Sequence, residues 1–320
     1  MRTSRTLADL GEDALVARIA RAARATEGPG VVLGVGDDAA LLRLGSGEEL
    51  VVSTDARVEG VHFRWHQDTP RSAGRTALVA ALSDLAAMGA RPLGFTWSLA
   101  APARLALWRF DGLLRGLVFE ARHHGCPLVG GNLSRARETS LTLGVLGAVP
   151  RGRALRREAR AGDGLFVTGR LGTAALARAR AGRGGRPRVP EARLAAGRAL
   201  ARLGAVRGCI DLSDGLEIDL GRLLGPELTC PFDPAALPTP RGFAAACRRV
   251  GLDPRKAALA GGEDYELLFS VRPSGPGAAV LARRLELPVA FLGRVVRGRG
   301  GASPGRGFHH FGAAGSAGAR

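Results

Sequence analysis

Residues 50–55 read Leu-Val-Val-Ser-Thr-Asp, a short apolar run that gives way to hydroxyl and carboxylate side chains. An apolar run of this length favours a buried strand, and the polar residues after it predict that the strand ends near Asp55. The same order of a strand followed by acidic residues recurs at 31–38 and at 209–211. The sequence therefore predicts several strands with carboxylates at their ends.

Segments with the helical spacing of apolar residues alternate with these strands, as is typical of an α/β (α+β) fold. Helices are predicted at 7–25, 73–89, 105–124, from 172 and from about 215 to 224, and further strands at 93–99, 127–130, 139–149, 165–168 and 265–271. In the helix at 73–89, Asp84 lies on a different face from the apolar stripe. A chain of 320 residues exceeds the usual size of a single core, and the pattern predicts two domains, 1–150 and 151–320.

The chain is basic, with a formal net charge of +17. Clustered cations attract nucleic acids, so a basic RNA-binding protein is one alternative. The basic residues are scattered, however, and nearly all are arginine, with Lys256 the single lysine. Aromatic residues that stack on bases make up only 5% of the chain, and single-strand recognition relies on such stacking. We therefore expect no nucleic-acid partner.

The cysteines and the hydropathy pattern indicate a cytoplasmic protein. The four cysteines show no C-x-x-C or Cys/His metal spacing, which is typical of buried thiols in a reducing compartment. No stretch approaches 18 uninterrupted apolar residues, and the N-terminus has no continuous apolar segment of the signal-peptide kind. A membrane partner is not expected.

Acidic residues are the informative feature in this otherwise basic chain, because many of them stand beside Gly, Ser or Thr at the ends of elements. If the fold brings several together, their repulsion must be offset by hard cations such as Mg²⁺, which prefers oxygen ligands. Magnesium beside carboxylates indicates phosphate chemistry. No G-x-x-x-x-G-K-[ST] motif occurs, which excludes a P-loop ATPase.

Six motifs along the chain combine glycine with acidic or hydroxyl residues. They are Gly34-Val35-Gly36-Asp37-Asp38, Ser53-Thr54-Asp55 with Gly60-Val61-His62-Phe63, Leu82-Ser83-Asp84-Leu85-Ala86-Ala87-Met88-Gly89, Gly130-Gly131-Asn132, Asp211-Leu212-Ser213-Asp214-Gly215 and Gly261-Gly262-Glu263-Asp264-Tyr265-Glu266. In this order and at these separations they resemble thiamine-monophosphate kinase over most of the chain. The resemblance implies the two-domain fold of aminoimidazole ribonucleotide synthetase. In that fold the sheet of domain 1–150 forms a barrel across a homodimer, and domain 151–320 completes the cleft for ATP and substrate.

The resemblance also implies a role for individual residues. The expected magnesium ligands are Asp38, Ser53, Thr54, Asp55, Asp84, Asn132, Asp211 and Asp214. The expected ATP contacts are Gly131, Asn132, Arg157 and Ser213. The expected contacts to thiamine monophosphate are His62, Glu263 and an aromatic residue near the C-terminus, Phe308 or else Phe311. Asn132 departs from the aspartate that the family often has there, so one metal position would receive an amide oxygen without charge.

The implied reaction is in-line transfer of a phosphoryl group from ATP to the phosphate of thiamine monophosphate, the last step of thiamine diphosphate biosynthesis. Several Mg²⁺ ions would assist, and no protein nucleophile is expected. Other ATP-dependent enzymes of the superfamily remain alternatives, namely a purine-type synthetase or a selenophosphate synthetase-like enzyme. The selenium enzyme would need a reactive Cys and Lys near its N-terminus, and a hydrogenase-maturation relative would end in a cysteine; this chain has neither feature.

Overall fold

The computed structural model describes residues 5–10, 12–33 and 41–298, and the chain divides into two units by its internal contacts. The first unit runs to Leu85 and includes Ala90–Gly152, whereas the second contains Ala86–Gly89 and the chain from Arg153 onward. Both units combine helices with sheets, so the fold is mixed α/β. Among the described residues, no helix is both long enough and apolar enough to span a membrane.

The first unit is built on a four-stranded sheet with the strand order β3-β6-β4-β5. Strands β4 and β5 are parallel and the other neighbours are antiparallel, and β1 and β2 form a separate antiparallel pair. The elements are α1 (Leu7–Leu10), α2 (Glu12–Arg24), β1 (Val31–Leu33), β2 (Leu41–Leu42), β3 (Glu48–Val58), α3 (Pro70–Ala87), β4 (Arg91–Ala101), α4 (Leu107–His124), β5 (Leu128–Arg135) and β6 (Ser140–Pro150).

Helices α3 and α4 approach each other so closely that their backbones are in contact. A Cβ atom on Gly74 of α3 would lie 2.2 Å from the carbonyl oxygen of Leu113, and one on Gly116 of α4 would lie 2.3 Å from that of Arg71. Only glycine fits at these positions, because real Cβ atoms do not approach backbone atoms so closely. Trp97 of β4 stacks on a ring of α4, Phe110, with the centroids 5.7 Å apart. The sheet and the helices thus share one core.

Two predicted strand ends are wrong. Strand β3 does not stop at Asp55, because residues 56–58 continue the ladder opposite residues 140–142 of β6. Strand β5 does not stop at 130 but runs on to Arg135 beside β4. Polar side chains are compatible with a strand whose backbone remains paired, since only the backbone makes the ladder. The predicted helices at 73–89 and 105–124 are confirmed with small shifts of their ends.

The second unit has an antiparallel four-stranded sheet with the order β11-β7-β10-β8, and β12 pairs with β9. Each four-stranded sheet formed within residues 41–298 is open. The elements are β7 (Gly164–Thr168), α5 (Thr173–Ala181), α6 (Leu194–Arg202), β8 (Val206–Asp211), α7 (Leu216–Leu224), β9 (Leu228–Thr229), a 3₁₀ helix (Pro234–Ala236), α8 (Phe243–Arg249), α9 (Pro254–Ala260), β10 (Leu267–Val271), α10 (Ala278–Leu285), β11 (Val289–Arg294) and β12 (Val296–Arg297).

A buried ion pair stabilises the second unit where β7 meets β10. Glu266 is only 3% exposed, and its carboxylate accepts hydrogen bonds from Thr168 Oγ1 at 2.7 Å and from Arg193 Nε and Nη2 at 2.8 and 2.7 Å. Burial lowers the pKa of Arg193, but the bonds and charge of Glu266 outweigh burial, so the pKa of Arg193 rises. Glu266 is therefore a structural carboxylate.

The first unit contains a comparable pair between α3 and α4, formed by Glu120 of α4. Glu120 is 2% exposed; Arg75 Nε lies 2.5 Å and His124 Nε2 3.3 Å from its carboxylate oxygens. Burial raises the pKa of Glu120, but His124 and Arg75 lower it more, and the pKa lies below its ordinary value. A lowered carboxyl pKa stabilises the folded state above the unfolded pKa of about 4.3, and this stability is lost as the pH falls through the folded pKa.

We expect the substitution Glu120→Gln to lower the free energy of unfolding by about 1–3 kcal/mol near neutral pH, because Arg75 loses its buried charged partner. The difference from the wild type should shrink as the pH falls below about 4.3, because this stability is lost as the pH falls through the lowered folded pKa. Urea unfolding near neutral pH and at about pH 3 measures this. Glu138→Gln, at an exposed glutamate, is the control; an equal effect of both substitutions at both pH values would contradict the assignment.

Candidate active site

The middle of β3 carries Ser53, Thr54 and Asp55. Side chains alternate between the two faces of a strand, so Ser53 and Asp55 share one face and Thr54 is exposed on the other. The Oγ of Ser53 donates a hydrogen bond of 2.5 Å to Oδ2 of Asp84 on α3. Two of the predicted ligands are therefore in contact, and Asp55 lies on the same face of β3 as this pair.

Asp84 is the partly exposed residue in a buried stretch of α3. Leu82 and Leu85 on either side of it are 0% exposed, which confirms that its side chain leaves the apolar face of the helix. The helix begins at Pro70, and Thr69 Oγ1 accepts the N–H of Ser72 at 3.1 Å, an arrangement that favours a helix start. The core contacts of α3 therefore hold the Asp84 carboxylate toward β3.

Gly131 and Asn132 lie within β5 and pair with Trp97 and Ser98 of β4. A Cβ atom on Gly131 would lie 2.1 Å from the carbonyl oxygen of Trp97, whereas one on Gly130 would meet its nearest atom, a methyl group of Thr96, at 3.6 Å. Gly131 is thus required for the close approach of the two strands. Asn132 is exposed, so its amide is accessible.

His62 lies in a tight loop directly after β3. Its backbone N–H donates to the carbonyl of Val58 at 2.9 Å, and its ring nitrogen Nδ1 accepts the N–H of Val58 at 3.0 Å. The carbonyl of His62 accepts from Nη2 of Arg57 at 2.9 Å. Both the ring and the backbone of His62 are therefore held in place by the end of β3.

In the second unit, the segments 211–215 and 261–266 are joined by backbone hydrogen bonds. Glu263 N–H donates to the carbonyl of Ser213 at 2.7 Å, and Tyr265 N–H to that of Leu212 at 2.9 Å. Asp211 is the last residue of β8 and α7 begins at Leu216, which confirms the predicted strand end and helix. The structure thus brings two of the recognised motifs together.

An arginine that sequence reasoning missed accompanies Asp214. Nη1 of Arg222 lies 2.5 Å from Oδ2 of Asp214 and 2.8 Å from Oδ1 of Asp219. Asp219 also accepts the N–H groups of Asp214 and Gly215 at 3.0 and 3.2 Å. Burial raises the pKa of Asp219 to about 6, and the charge of Asp214 adds to this rise. The spacing of Asp219 and Arg222, three residues apart on α7, is the sequence signal for this pair.

Glu263 is held by a second arginine that the sequence did not reveal. Nη1 of Arg178 lies 2.6 Å from Oε2 of Glu263, and Nη2 donates to the carbonyl of Gly261 at 3.1 Å. Glu263 and Tyr265 have positive φ angles of 57° and 51°, a strained conformation for residues other than glycine that is often found at functional sites. No local pattern links Arg178 to Glu263, since α5 reaches it only through the tertiary fold.

The adjacent Asp264 has a structural role. Its carboxylate accepts the N–H groups of Gly172 and Ala174 at 2.6 and 2.9 Å and the hydroxyl of Thr173 at 2.8 Å. These are groups at the N-terminus of α5, which need an acceptor. The two neighbouring carboxylates of this motif therefore have different environments: Asp264 caps helix α5, whereas Glu263 is partly exposed.

The remaining predicted residues fall into two groups. Ser213 lies between Asp211 and Asp214. Arg157 is exposed, and the residue before it, Arg156, accepts the N–H of Cys209 on β8 at its carbonyl at 2.8 Å. Asp38, Phe308 and Phe311 lie outside the described residues.

The chemistry of the side chains in β3 and α3 fits a hard cation, because a hydroxyl and two carboxylates supply only oxygen ligands. Within the described ranges 5–10, 12–33 and 41–298, no three His, Cys, Asp or Glu side chains are grouped closely enough to hold a metal ion. The carboxylates of Asp84, Asp214 and Glu263 have instead a protein donor or cation beside them.

Comparisons with known proteins agree with the motifs. A family model described as "AIR synthase related protein, N-terminal domain" matches residues 36–149. The thiamine-monophosphate kinase of Mycobacterium tuberculosis (strain CDC 1551 / Oshkosh) is 36% identical over 302 residues, which cover 90% of this chain and 89% of that protein. This chain belongs to the thiamine-monophosphate kinase family. The expected family is confirmed.

Solved structures of the thiamine-monophosphate kinase family share the fold. The crystal structure of the enzyme from Stenotrophomonas maltophilia K279a is 35% identical and has a TM-score of 0.78, covering 91% of this chain and 96% of that chain. A structure described as AaThiL complexed with AMPPCP and TMP is 26% identical, has a TM-score of 0.69 and covers 91% of this chain and 93% of that chain.

We expect Gly131→Ala to lower the free energy of unfolding by about 1–3 kcal/mol, because the added methyl group must push β5 away from β4. Gly130→Ala, one residue earlier, should cost less than about 1 kcal/mol, since its methyl group would make an ordinary contact. Thermal and urea unfolding of the two variants measure the difference. If Gly130→Ala destabilises as much as Gly131→Ala, the close approach at Trp97 does not explain the glycine.

Proposed function

We propose that this chain transfers the γ-phosphoryl group of ATP to the phosphate of thiamine monophosphate, giving ADP and thiamine diphosphate. The observation that carries the proposal is the similarity to thiamine-monophosphate kinases, which extends over nearly the whole chain and includes the segments of both units described above. The complex of a relative with AMPPCP and TMP supports ATP and thiamine monophosphate as the substrates. The purine-type, selenophosphate-type and RNA-binding alternatives are not favoured.

The proposed metal ligands are oxygen donors, in keeping with magnesium. In the first unit they are Asp38, Ser53, Asp55, Asp84 and Asn132, together with Thr54, which would have to contribute its backbone carbonyl because its side chain lies on the opposite face of β3. In the second unit they are Asp211 and Asp214. Magnesium bound there would neutralise the charge of the triphosphate and of the phosphoryl group in transit. The contact between Ser53 and Asp84 supports the assignment, because it orients the Asp84 carboxylate before any ligand arrives.

The ATP and acceptor contacts are likewise proposals for named residues. Gly131, Asn132, Arg157 and Ser213 are proposed to bind ATP. His62, Glu263 and Phe308 are proposed to bind thiamine monophosphate. The ring of His62 is already fixed by hydrogen bonding, and Glu263 is held by Arg178. Preorganised contacts of this kind lower the entropy cost of bringing two anionic substrates together.

The chemical step needs no protein nucleophile. An oxygen of the acceptor phosphate, already ionised near neutral pH, attacks the γ-phosphorus of ATP. The new P–O bond forms as the bond from the γ-phosphorus to the bridging β-phosphate oxygen breaks, and ADP leaves with that electron pair. The protein contributes positioning and stabilisation of charge, which is the usual division of labour in phosphoryl transfer.

We expect purified protein with ATP and Mg²⁺ to convert thiamine monophosphate to thiamine diphosphate in step with ADP formation, and unphosphorylated thiamine to give no product. EDTA should stop the reaction. Asp55→Ala and Asp84→Ala should each lower turnover by about 10³-fold or more, the effect of removing one group that stabilises transition-state charge. Glu138→Ala, at an exposed carboxylate, is the control. Turnover that survives both EDTA and the Asp84 substitution would overturn the proposal.

A homodimer with a shared barrel is also proposed. Along β3, Leu50 and Val52 are 51% and 65% exposed and share the face of Thr54, opposite to that of Ser53. Two apolar side chains as exposed as these on an edge strand favour burial against another surface. The family resemblance implies that this surface is the same sheet of a second copy of the chain.

Light scattering coupled to gel filtration should therefore give the mass of a dimer for the wild type and that of a monomer for Val52→Glu, because the interface would have to bury an unpaired charge. Val16→Glu, on the exposed side of α2, should leave the dimer intact. A wild-type monomer at micromolar concentration would exclude the shared barrel.

A cytoplasmic location is proposed as well. All four cysteines are free and buried, and burial raises the pKa of the Cys126 and Cys209 thiols. Such thiols are unreactive, which suits a reducing compartment where disulfides do not persist.

A further inference from the structure

The loop 58–63 follows β3 and contains His62, the proposed contact to thiamine monophosphate. Hydrogen bonds within the loop close it. Gly60 N–H donates to the carbonyl of Phe63 at 2.8 Å, and Val61 and His62 N–H both donate to that of Val58 at 3.2 and 2.9 Å. Gly60 has a φ of 83°, which permits the tight turn. The loop therefore holds a defined conformation relative to the strand.

The ring of His62 is fixed in one tautomer by this loop. The N–H of Val58 points at Nδ1 at 3.0 Å, and a backbone N–H can only donate. Nδ1 must therefore be the unprotonated acceptor nitrogen, which places the ring proton on Nε2. His62 is presented as a neutral imidazole with an Nε2–H donor.

Arg57 connects this loop to the strand of proposed metal ligands. It lies on the same face of β3 as Ser53 and Asp55, by the alternation of the strand. Arg57 is only 5% exposed, and its Nη2 donates to the carbonyl of His62 at 2.9 Å. Arginine is almost never buried without specific partners. The buried guanidinium of Arg57 binds the carbonyl of His62, a proposed substrate-binding residue. An apolar side chain could not make this hydrogen bond.

We propose that Arg57 is a positioning residue: its bond to the His62 carbonyl holds the loop in which Val58 N–H meets Nδ1, so that His62 presents Nε2–H to a phosphate oxygen of the acceptor. This inference rests on the proposed function for the identity of the acceptor, but the tautomer itself does not. Asp55 and Arg57 are two residues apart on one strand, a Cα separation of roughly 6.6–6.8 Å. Through Arg57, strand β3 thereby relates the position of the proposed metal ligands to that of His62, the proposed contact to thiamine monophosphate.

The test compares Arg57→Met, which removes the donor, with Arg57→Lys, which keeps a cation. In Arg57→Met we expect the KM for thiamine monophosphate to rise about tenfold, while kcat and the KM for ATP stay within about twofold. Arg57→Lys should recover part of the loss. Arg137→Met, at an exposed arginine, is the control. Equal losses in the KM for ATP and in kcat, or an unchanged KM for thiamine monophosphate, would overturn the positioning role.

A second measurement does not depend on activity. Long-range ¹H–¹⁵N spectra of protein labelled at the histidine rings report which nitrogen carries the proton, and His62→Gln identifies the His62 signals by their loss. The wild type should show His62 as Nε2–H alone. Arg57→Met should show a mixture of tautomers, because loss of the bond to the His62 carbonyl loosens the loop and with it the contact of Val58 N–H with Nδ1. A wild-type Nδ1–H signal would overturn the inference, even if Arg57→Met does not fold. If the wild type forms no thiamine diphosphate yet shows Nε2–H, the proposed function fails while the tautomer stands.

Discussion

The register of β3 against β6 is the constraint on which the first unit's site depends. Ser53 pairs with Val145 and Asp55 with Leu143, and both partners are fully buried. Because side chains alternate along a strand, a slip by one residue would exchange the two faces. The oxygen ligands would then leave Asp84, and Leu50 and Val52 would turn toward the helices. The eleven-residue ladder between the two strands makes such a slip costly, since every backbone bond would have to re-form.

Protein donors and cations beside the carboxylates are the second theme. Asp84 accepts a hydroxyl, Asp214 pairs with Arg222, and Glu263 pairs with Arg178. These fixed partners orient the carboxylates, so that substrate binding can begin from an ordered arrangement. The many arginines of the chain at first suggest a polyanion as a partner, but some of them form ion pairs with the chain's own acidic residues.

The sequence anticipates this structure unevenly, for physical reasons. The end of β8 at Asp211 and the start of α7 were predictable, because an apolar run there is followed by a turn with glycine. The end of β3 was not, because the polar residues from Ser53 onward give no sign that the backbone ladder continues to Val58. The ion pair of Arg178 with Glu263 joins residues 85 positions apart and leaves no local pattern. The family motifs therefore named candidate residues, but they could not predict which partner each of them has.

The glycine contacts between α3 and α4 have a consequence for how sequence can vary in this family. Gly116 stands on α4 and is none of the proposed ligand contacts, yet its missing side chain is what allows the carbonyl of Arg71 to approach. Any larger residue there would displace α3, and with it Asp84. A survey of tolerated substitutions should thus find positions on α4 as invariant as the site itself, although they never meet substrate. Conservation at such a position reports the placement of a helix, and a search for catalytic residues by conservation alone would mistake it for chemistry.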